Sequence, residues 1–146
     1  MAEKPYLAAA FLCERILHER DGVLTAIRIV DTFNVTLPPN LPPDAKPAIQ
    51  ITGLLSVKKS SPGAEAEQHQ AEIRLRTPSG REHPPAVFDV FFKPEQMAGA
   101  NQIIHMNIGV EEFGLHWLDV LLDGEPITRI PFRLLPAAIS PPETIH

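Results

Sequence analysis

Residues 114–134 read GLHWLDVLLDGEPITRIPFRL, two alternating segments on either side of Asp123-Gly124. This period of two is typical of a β-hairpin with one buried face. Six even-numbered positions are apolar and form the predicted core face: Leu118, Val120, Leu122, Ile130, Phe132 and Leu134. Even positions pair with even positions only if the loop has an odd number of residues, so we predict a three-residue loop with Gly124 left-handed. A two-residue turn would bury Arg129 and Arg133.

The odd-numbered positions of the same hairpin point away from the predicted core. They carry Trp117, the one tryptophan of the chain, together with Leu121, Arg129 and Arg133. Trp and Arg are enriched at binding hot spots, and exposed apolar surface of this kind often marks a contact. The sequence therefore predicts a partner-binding surface at these four residues, for a protein partner or for a second copy in a homodimer. The alternative is local cover of the indole, by a stacked arginine or by the proline-rich segment 37–47.

Six further segments have strand character, with turn signals between them: 6–17, 23–30, 48–57, 72–76, 87–92 and 103–108. Asp21-Gly22 predicts a hairpin between the first two. Five prolines in residues 37–47 exclude a helix or a central strand and predict a stiff connector. About eight strands at this spacing predict an all-β fold, an immunoglobulin-like antiparallel β-sandwich of about seven to nine strands. We expect one domain over residues 1–136 and a loose tail over residues 137–146.

The composition limits the class of protein. A chain of 146 residues, 44% hydrophobic and 21% charged, fits one globular domain that needs no disulfide or metal for its stability. The formal net charge of −5 argues against nucleic-acid binding, which needs a basic surface. The single cysteine, Cys13, gives no sign of an oxidising compartment, and no segment suits a membrane span or a signal peptide. We therefore expect a cytoplasmic protein without nucleic-acid or membrane partners.

Two stretches carry a resemblance to a known family. Residues 12–22 read LCERILHERDG, and residues 112–124 read EFGLHWLDVLLDG. With the strands that follow them, they resemble a family of small bacterial proteins of unknown function with an immunoglobulin-like sandwich. The resemblance implies that fold, favours a strand over a helix at residues 7–17, and implies no catalytic residues. Many immunoglobulin-like domains have a tyrosine at the corner before the closing hairpin. Here His116 takes that place, and its even number predicts a ring that points into the core.

Residue types that commonly perform catalysis or bind metals occur here in no recognised motif. No serine lies in a nucleophile elbow, and the apolar surroundings of Cys13 predict a buried, inert thiol. If residues 86–93 and 101–110 form a hairpin, Asp89 and His105 meet on its outer side, where they would bind a metal or act as an acid–base pair. The simpler interpretation is an exposed cross-strand polar pair. We therefore predict no cofactor and no metal. The favoured function is a non-enzymatic binding or assembly module, and the alternative is a small enzyme or metal-binding protein.

Overall fold

A computed structural model of the chain describes residues 4–59, 66–93 and 99–137, and these ranges contain nine β-strands and no α-helix. The strands are β1 (Tyr6–His18), β2 (Leu24–Ile29), β3 (Thr32–Thr36), β4 (Ala48–Lys58), β5 (Glu67–Arg76), β6 (Ala86–Phe92), β7 (Ala100–Gly109), β8 (Gly114–Leu122) and β9 (Glu125–Ala137). Within the described ranges there is thus no helix long and apolar enough to cross a membrane.

The strands form two sheets that pack face to face as a sandwich. The four-stranded sheet has the order β2-β1-β4-β7, and the five-stranded sheet has the order β3-β9-β8-β5-β6. This is the arrangement of an immunoglobulin sandwich, in which β1, β4 and β7 take the places of strands A, B and E, and β5, β8 and β9 those of C, F and G. The predicted all-β, immunoglobulin-like sandwich is therefore confirmed. Among the described strands the pairs are antiparallel except for β3 and β9, which run parallel.

The core lies between the sheets and follows the alternation of the strands. Ile51 and Leu55 of β4 are 0% and 1% exposed, and Phe132 of β9 is 1% exposed. The Phe132 ring meets Phe33 edge to face, with ring centroids 6.2 Å apart, and stacks on His116 at 5.1 Å. All six even-numbered residues predicted to form the core face of the closing hairpin are buried. That prediction is confirmed.

The turn of the β8–β9 hairpin differs from the prediction. Even positions pair with even positions as expected, for example Leu118 with Ile130. However, the loop has two residues, Asp123 and Gly124, with φ angles of 49° and 81°. Two left-handed residues make a type I′ turn, which matches the right-handed twist of paired strands. The predicted three-residue loop is wrong.

A β-bulge supplies the odd residue that the two-residue turn lacks. The register shifts between Val120 and Leu121, and Ile127 is the extra residue on β9. The strand beyond the bulge is thereby returned to the register in which Arg129 and Arg133 lie outside the core. A two-residue turn together with a bulge, and not a longer loop, therefore keeps the alternate apolar residues on the core side.

The three-residue loop occurs instead in the β1–β2 hairpin. The Gly22 N–H donates to the Glu19 carbonyl at 3.0 Å, and the Glu19 N–H donates to the Val23 carbonyl at 2.9 Å. Gly22 has a φ of 85°, the left-handed glycine that closes this type of loop. The helix-forming residues 8–10 lie within β1 because that strand pairs with both β2 and β4. The predicted strand and hairpin are confirmed.

Residues 37–47 connect β3 to β4, and so cross from the five-stranded to the four-stranded sheet, without forming helix or strand. Two turns within the connector are closed by hydrogen bonds, from the Leu41 N–H to the Pro38 carbonyl at 3.3 Å and from the Ala45 N–H to the Pro42 carbonyl at 2.9 Å. The predicted absence of helix and strand from this connector is therefore confirmed. The tail predicted over residues 137–146 lies outside the described residues, apart from Ala137 at the end of β9.

Candidate functional site

The five-stranded sheet carries the residues predicted to bind a partner on the side that faces away from the core. We call this side the outer face. On β5, β8 and β9 it consists of Glu72, Arg74, Arg76, Leu115, Trp117, Asp119, Leu121, Arg129, Pro131 and Arg133. In the strand register Trp117 lies between Arg76 and Pro131, and Asp119 lies beside Arg129. The outer face therefore surrounds the one indole with guanidinium groups.

Four of these side chains, Arg76, Trp117, Asp119 and Arg129, form what we call the Arg–Trp cluster. The guanidinium carbon of Arg129 lies 4.5 Å from the centroid of the Trp117 ring, which is a cation–π contact. The Arg129 Nε donates to Asp119 Oδ1 at 2.8 Å, and Arg76 Nη2 lies 3.0 Å from Asp119 Oδ2. One carboxylate thus holds two guanidinium groups, and one of these covers the indole. Local cover by a stacked arginine is therefore present.

We expect the stack of Arg129 on Trp117 to contribute a coupling free energy of about 0.5–1 kcal/mol, the range for an exposed cation–π pair. The side chain of Arg129 is 51% exposed, so solvent weakens the interaction. The measurement is a double-mutant cycle of Trp117→Ala and Arg129→Ala by urea unfolding. Its control is a cycle of Trp117→Ala with Arg28→Ala, because Arg28 lies on the other sheet and pairs with Glu14. Equal coupling in the two cycles would mean that the stack contributes nothing.

Leu121 is buried, contrary to the prediction that it forms part of a contact surface. Only 7% of its surface is exposed, although it alternates with the core residues Val120 and Leu122 and so lies on the outer face. In the register it lies between Glu72 and Pro126, beside the bulge. Alternation predicts the side of the sheet on which a residue lies, but not how far its neighbours cover it. We therefore assign Leu121 to the support of the hairpin and not to partner contact.

Arg133 differs from the other arginines of the outer face. It is exposed and has no ion-pair partner among the described residues, whereas the other three each pair with a carboxylate. Its side chain borders a shallow groove of about 190 Å³, which we call the Arg133 groove. The groove is lined by Asp31, Thr32, Leu115, Pro131, Phe132 and Arg133. An arginine without an ion-pair partner in the described parts of the chain thus lies beside Leu115 and Pro131 at this end of the outer face.

The alternative site at Asp89 and His105 is wrong because its strands do not form a hairpin. β6 pairs with β5 in the five-stranded sheet, whereas β7 pairs with β4 in the four-stranded sheet. Asp89 lies opposite Gln70, and His105 lies opposite Thr52, whose Oγ1 is 3.3 Å from the histidine Nδ1. Within the described parts of the chain, no group of three or more His, Cys, Asp or Glu side chains could hold a metal ion.

A group of titratable side chains that the sequence did not reveal lies at the turn of the β8–β9 hairpin. We call Glu67, His69 and Asp123 the His69 cluster. The His69 Nδ1 lies 2.5 Å from Asp123 Oδ2, and its Nε2 lies 3.1 Å from Glu67 Oε2. The second oxygen of Asp123 accepts the Gln70 N–H at 2.9 Å. His69 and Asp123 are 54 residues apart in the chain, so no local sequence pattern pointed to the pair.

The pKa values of His69 and Asp123 are both shifted in the direction that favours the charged form. Partial burial lowers the pKa of His69, but the hydrogen bonds to Asp123 and Glu67 outweigh it, so the pKa is raised above its ordinary value. Partial burial raises the pKa of Asp123, but the hydrogen bonds from Gln70 and His69 outweigh it, so the pKa is lowered. Both shifts favour an ion pair between a strand and a turn. The His69 ring also packs edge-on against Phe92, with ring centroids 5.3 Å apart, which favours a structural role.

Two further groups singled out in the sequence lie buried. His116 is 2% exposed, and its Nδ1–H donates to the Gly114 carbonyl at 3.0 Å. The predicted inward orientation is confirmed. At this position a tyrosine corner would bond a backbone group a few residues upstream, whereas His116 bonds the backbone only two residues before it. Cys13 is 1% exposed, and burial raises the pKa of its thiol. A raised pKa disfavours the thiolate that a nucleophilic cysteine needs.

The chain matches one family model, described as a family of unknown function, DUF6941, over residues 8–135. No curated protein matches it in sequence. It is similar to a solved alkylpurine DNA glycosylase from Pseudomonas fluorescens, at 18% identity and a TM-score of 0.40 over 70% of this chain and 29% of that chain. It is similar to a beta-glucosidase from Listeria innocua, at 10% identity and a TM-score of 0.47 over 92% of this chain and 16% of that chain.

A third similar structure is an immunoglobulin-like protein from Pseudomonas aeruginosa, at 12% identity and a TM-score of 0.39 over 91% of this chain and 98% of that chain. The chain spans only 29% of the glycosylase and 16% of the glucosidase. At these scores the similarities support no conclusion about activity or substrate.

Proposed function

The chain belongs to DUF6941, a family of unknown function, and we propose that it is a non-enzymatic protein-binding module that acts through its outer face. The observation that carries the proposal is the state of Arg133. Arg133 is exposed and has no ion-pair partner among the described residues, and it borders a groove whose lining includes the apolar side chains of Leu115 and Pro131. A carboxylate of a partner would therefore gain a cation here without breaking an existing pair.

The partner that fits this surface is a protein segment with a carboxylate next to an apolar side chain. The carboxylate would pair with Arg133 in the two-pronged geometry that guanidinium groups favour. The apolar side chain would lie on Leu115 and Pro131, which line the Arg133 groove. The Arg–Trp cluster lies directly beside the groove, and its two residue types, Trp and Arg, are enriched at binding hot spots. Trp117 and Arg129 thus remain in the proposed contact surface with Arg133.

A nucleic acid is the less suitable anionic partner for this face. Three of its four arginines already pair with carboxylates, which belong to Glu72, Glu82 and Asp119. The formal net charge of −5 repels a phosphate backbone, whose binding needs several free cations. The proposal therefore keeps the expectation of a protein partner. It also keeps the expectations of a bacterial protein and of no cofactor. The expectation of a cytoplasmic location is supported by the single cysteine of the sequence, Cys13.

The test is a selection from a random-peptide display library with the purified chain as bait. Peptides enriched on the wild-type protein should carry Asp or Glu beside an apolar residue. Arg133→Glu should weaken their binding by about tenfold, which corresponds to about 1.4 kcal/mol, because it replaces attraction by repulsion. Replacing the acidic residue of the peptide by lysine should restore binding to this variant.

The matched control for that test is Arg28→Glu, a charge reversal on the other sheet at a side chain that is 73% exposed. This variant should bind the selected peptides as the wild-type protein does. Enrichment no better than on an unrelated bait would contradict the proposal. So would selected peptides that bind the Arg133→Glu variant unchanged.

A further inference from the structure

Edge strands expose N–H and C=O groups without a strand partner, and proteins protect such edges against pairing with other chains. Three of the four edge strands in the described sheets carry such protection. β2 has six residues and contains Arg28, a charged residue whose φ of 53° interrupts the extended backbone. β3 has only five residues. β6 follows two prolines at 84–85 and carries Asp89 at its centre.

β7 is the unprotected edge. It has ten residues, ANQIIHMNIG, and contains no Asp, Glu, Lys, Arg or Pro. Each residue from Ala100 to Gly109 is in register with β4 without a bulge. On its other side, no strand of the described residues pairs with it. The edge therefore offers a regular row of backbone donors and acceptors, which is the geometry that accepts an additional strand.

The side chains of β7 suit an identical strand. Asn101, His105 and Asn107 are exposed. An amide both donates and accepts hydrogen bonds, so it can pair with an identical amide. The formal net charge of −5 makes two copies repel each other, and a neutral edge is where they can approach at the smallest electrostatic cost. A second copy of the chain therefore fits this edge.

A groove of about 330 Å³, lined by both apolar and polar side chains, lies beside this edge, between the two sheets. It is lined by Ile73, Leu75, His83, Pro84 and Ala86 together with residues 105–109 of β7. Ile73 and Leu75 belong to the buried core, so the groove borders the core on this side. A strand added to β7 would lie next to the groove and shield it.

We propose that the chain forms a homodimer in which β7 pairs antiparallel with β7 of a second copy. The four-stranded sheets of the two copies then become one continuous sheet. Core side chains stay on the core side only if paired residues are both even or both odd, so the two-fold axis passes through a residue. The registers with the largest overlap are centred on Ile104 or on His105. The outer face lies on the other sheet, so each dimer presents two copies of it.

The test is sedimentation velocity of the full chain over a wide range of concentration. The wild-type protein should sediment at twice the mass of one chain. The double variant His105→Lys with Asn107→Lys places like charges across the axis and should raise the dimer dissociation constant by about tenfold or more. The control is Val87→Lys, at a position that is 53% exposed on the protected edge β6, and it should leave the dimer unchanged.

Hydrogen exchange of the β7 amides provides a second measurement that does not depend on the variants. Those amides should become more protected as the concentration of the wild-type protein rises through the dimer range. A wild-type protein that stays monomeric at every concentration contradicts the proposal. The β7 edge would then be open to an extended segment of another protein. A dimer that is equally tight in the double variant also contradicts it, because the interface then lies elsewhere. Neither result bears on peptide binding at Arg133.

Discussion

Phe132→Ala should lower the free energy of unfolding by about 3–5 kcal/mol, the range for removing a buried phenylalanine ring. The ring is 1% exposed and lies between Phe33 and His116, so its removal leaves a cavity bounded by two other rings. A loss of this size is a large part of the 5–15 kcal/mol by which domains are typically stable. The measurement is the urea midpoint together with the slope of the transition.

The matched control is Phe91→Ala, because Phe91 also lies on a strand but is 62% exposed. This change should cost less than about 1 kcal/mol, since it removes little buried surface and leaves no cavity. Similar losses in the two variants would mean that the alternation does not place Phe132 in the core. The predicted core face of the closing hairpin would then be incorrect.

Asp123→Ala should lower the free energy of unfolding by about 2 kcal/mol. Asp123 has a φ of 49°, and a left-handed backbone costs most residues about 1–2 kcal/mol, a cost that Asp bears better than Ala. The change also removes the acceptor of the Gln70 N–H and of His69, and partly exposed hydrogen bonds contribute about 0.5–1.5 kcal/mol each. The midpoint of urea unfolding near pH 6 measures the loss.

The comparison variant is Asp123→Asn, which tolerates the left-handed backbone and keeps an oxygen acceptor but loses the charge. The wild-type advantage over it should depend on pH. The pKa of Asp123 is lowered, so its contribution is present above its unfolded value and is lost as the pH falls through the folded value. The pKa of His69 is raised, so its contribution is present below its unfolded value and is lost as the pH rises through the folded value.

The advantage of the wild-type protein should therefore be larger near pH 5.5 than near pH 8.5. At pH 5.5 the solution is above the ordinary pKa of Asp, about 3.9, and below that of His, about 6.5, so both groups are charged. The contribution of His69 then falls as the pH rises through its raised folded pKa. Urea unfolding of both proteins at the two pH values tests this. An advantage that is the same at both values would show that the ion pair does not contribute to stability.

The period of two along the closing hairpin predicted which side chains enter the core, because burial of alternate residues depends only on the geometry of a strand. It could not predict how the turn and the register are combined. Two devices, a longer loop or a bulge at Ile127, place Arg129 and Arg133 equally well outside the core. The two devices differ in local backbone twist, which does not change the pattern of apolar and polar residues.

The errors at the candidate site have a related origin. Exposure of Leu121 depends on side chains of adjacent strands, and the proximity of Asp89 to His105 depended on which strands pair. Both depend on how the strands are arranged in the sheets, and not on the sequence of any one strand. His69 and Asp123 were missed for the same reason, since strand β5 and the turn after β8 come together only in the folded chain. The arginine stack on Trp117 could be anticipated because both residues lie on one hairpin.

The parallel pairing of β3 with β9 has a consequence for how the chain folds as it is synthesised. Thr32 lies opposite Arg133, about a hundred residues later, so β3 has no strand to pair with until the ribosome has made almost the whole domain. Contacts between such distant parts of a chain form slowly. The β1–β2 hairpin can form early, but the segment after it must wait for the last strand. A nascent chain that stops before residue 132 would leave the five-stranded sheet without this edge and Phe33 without the ring of Phe132.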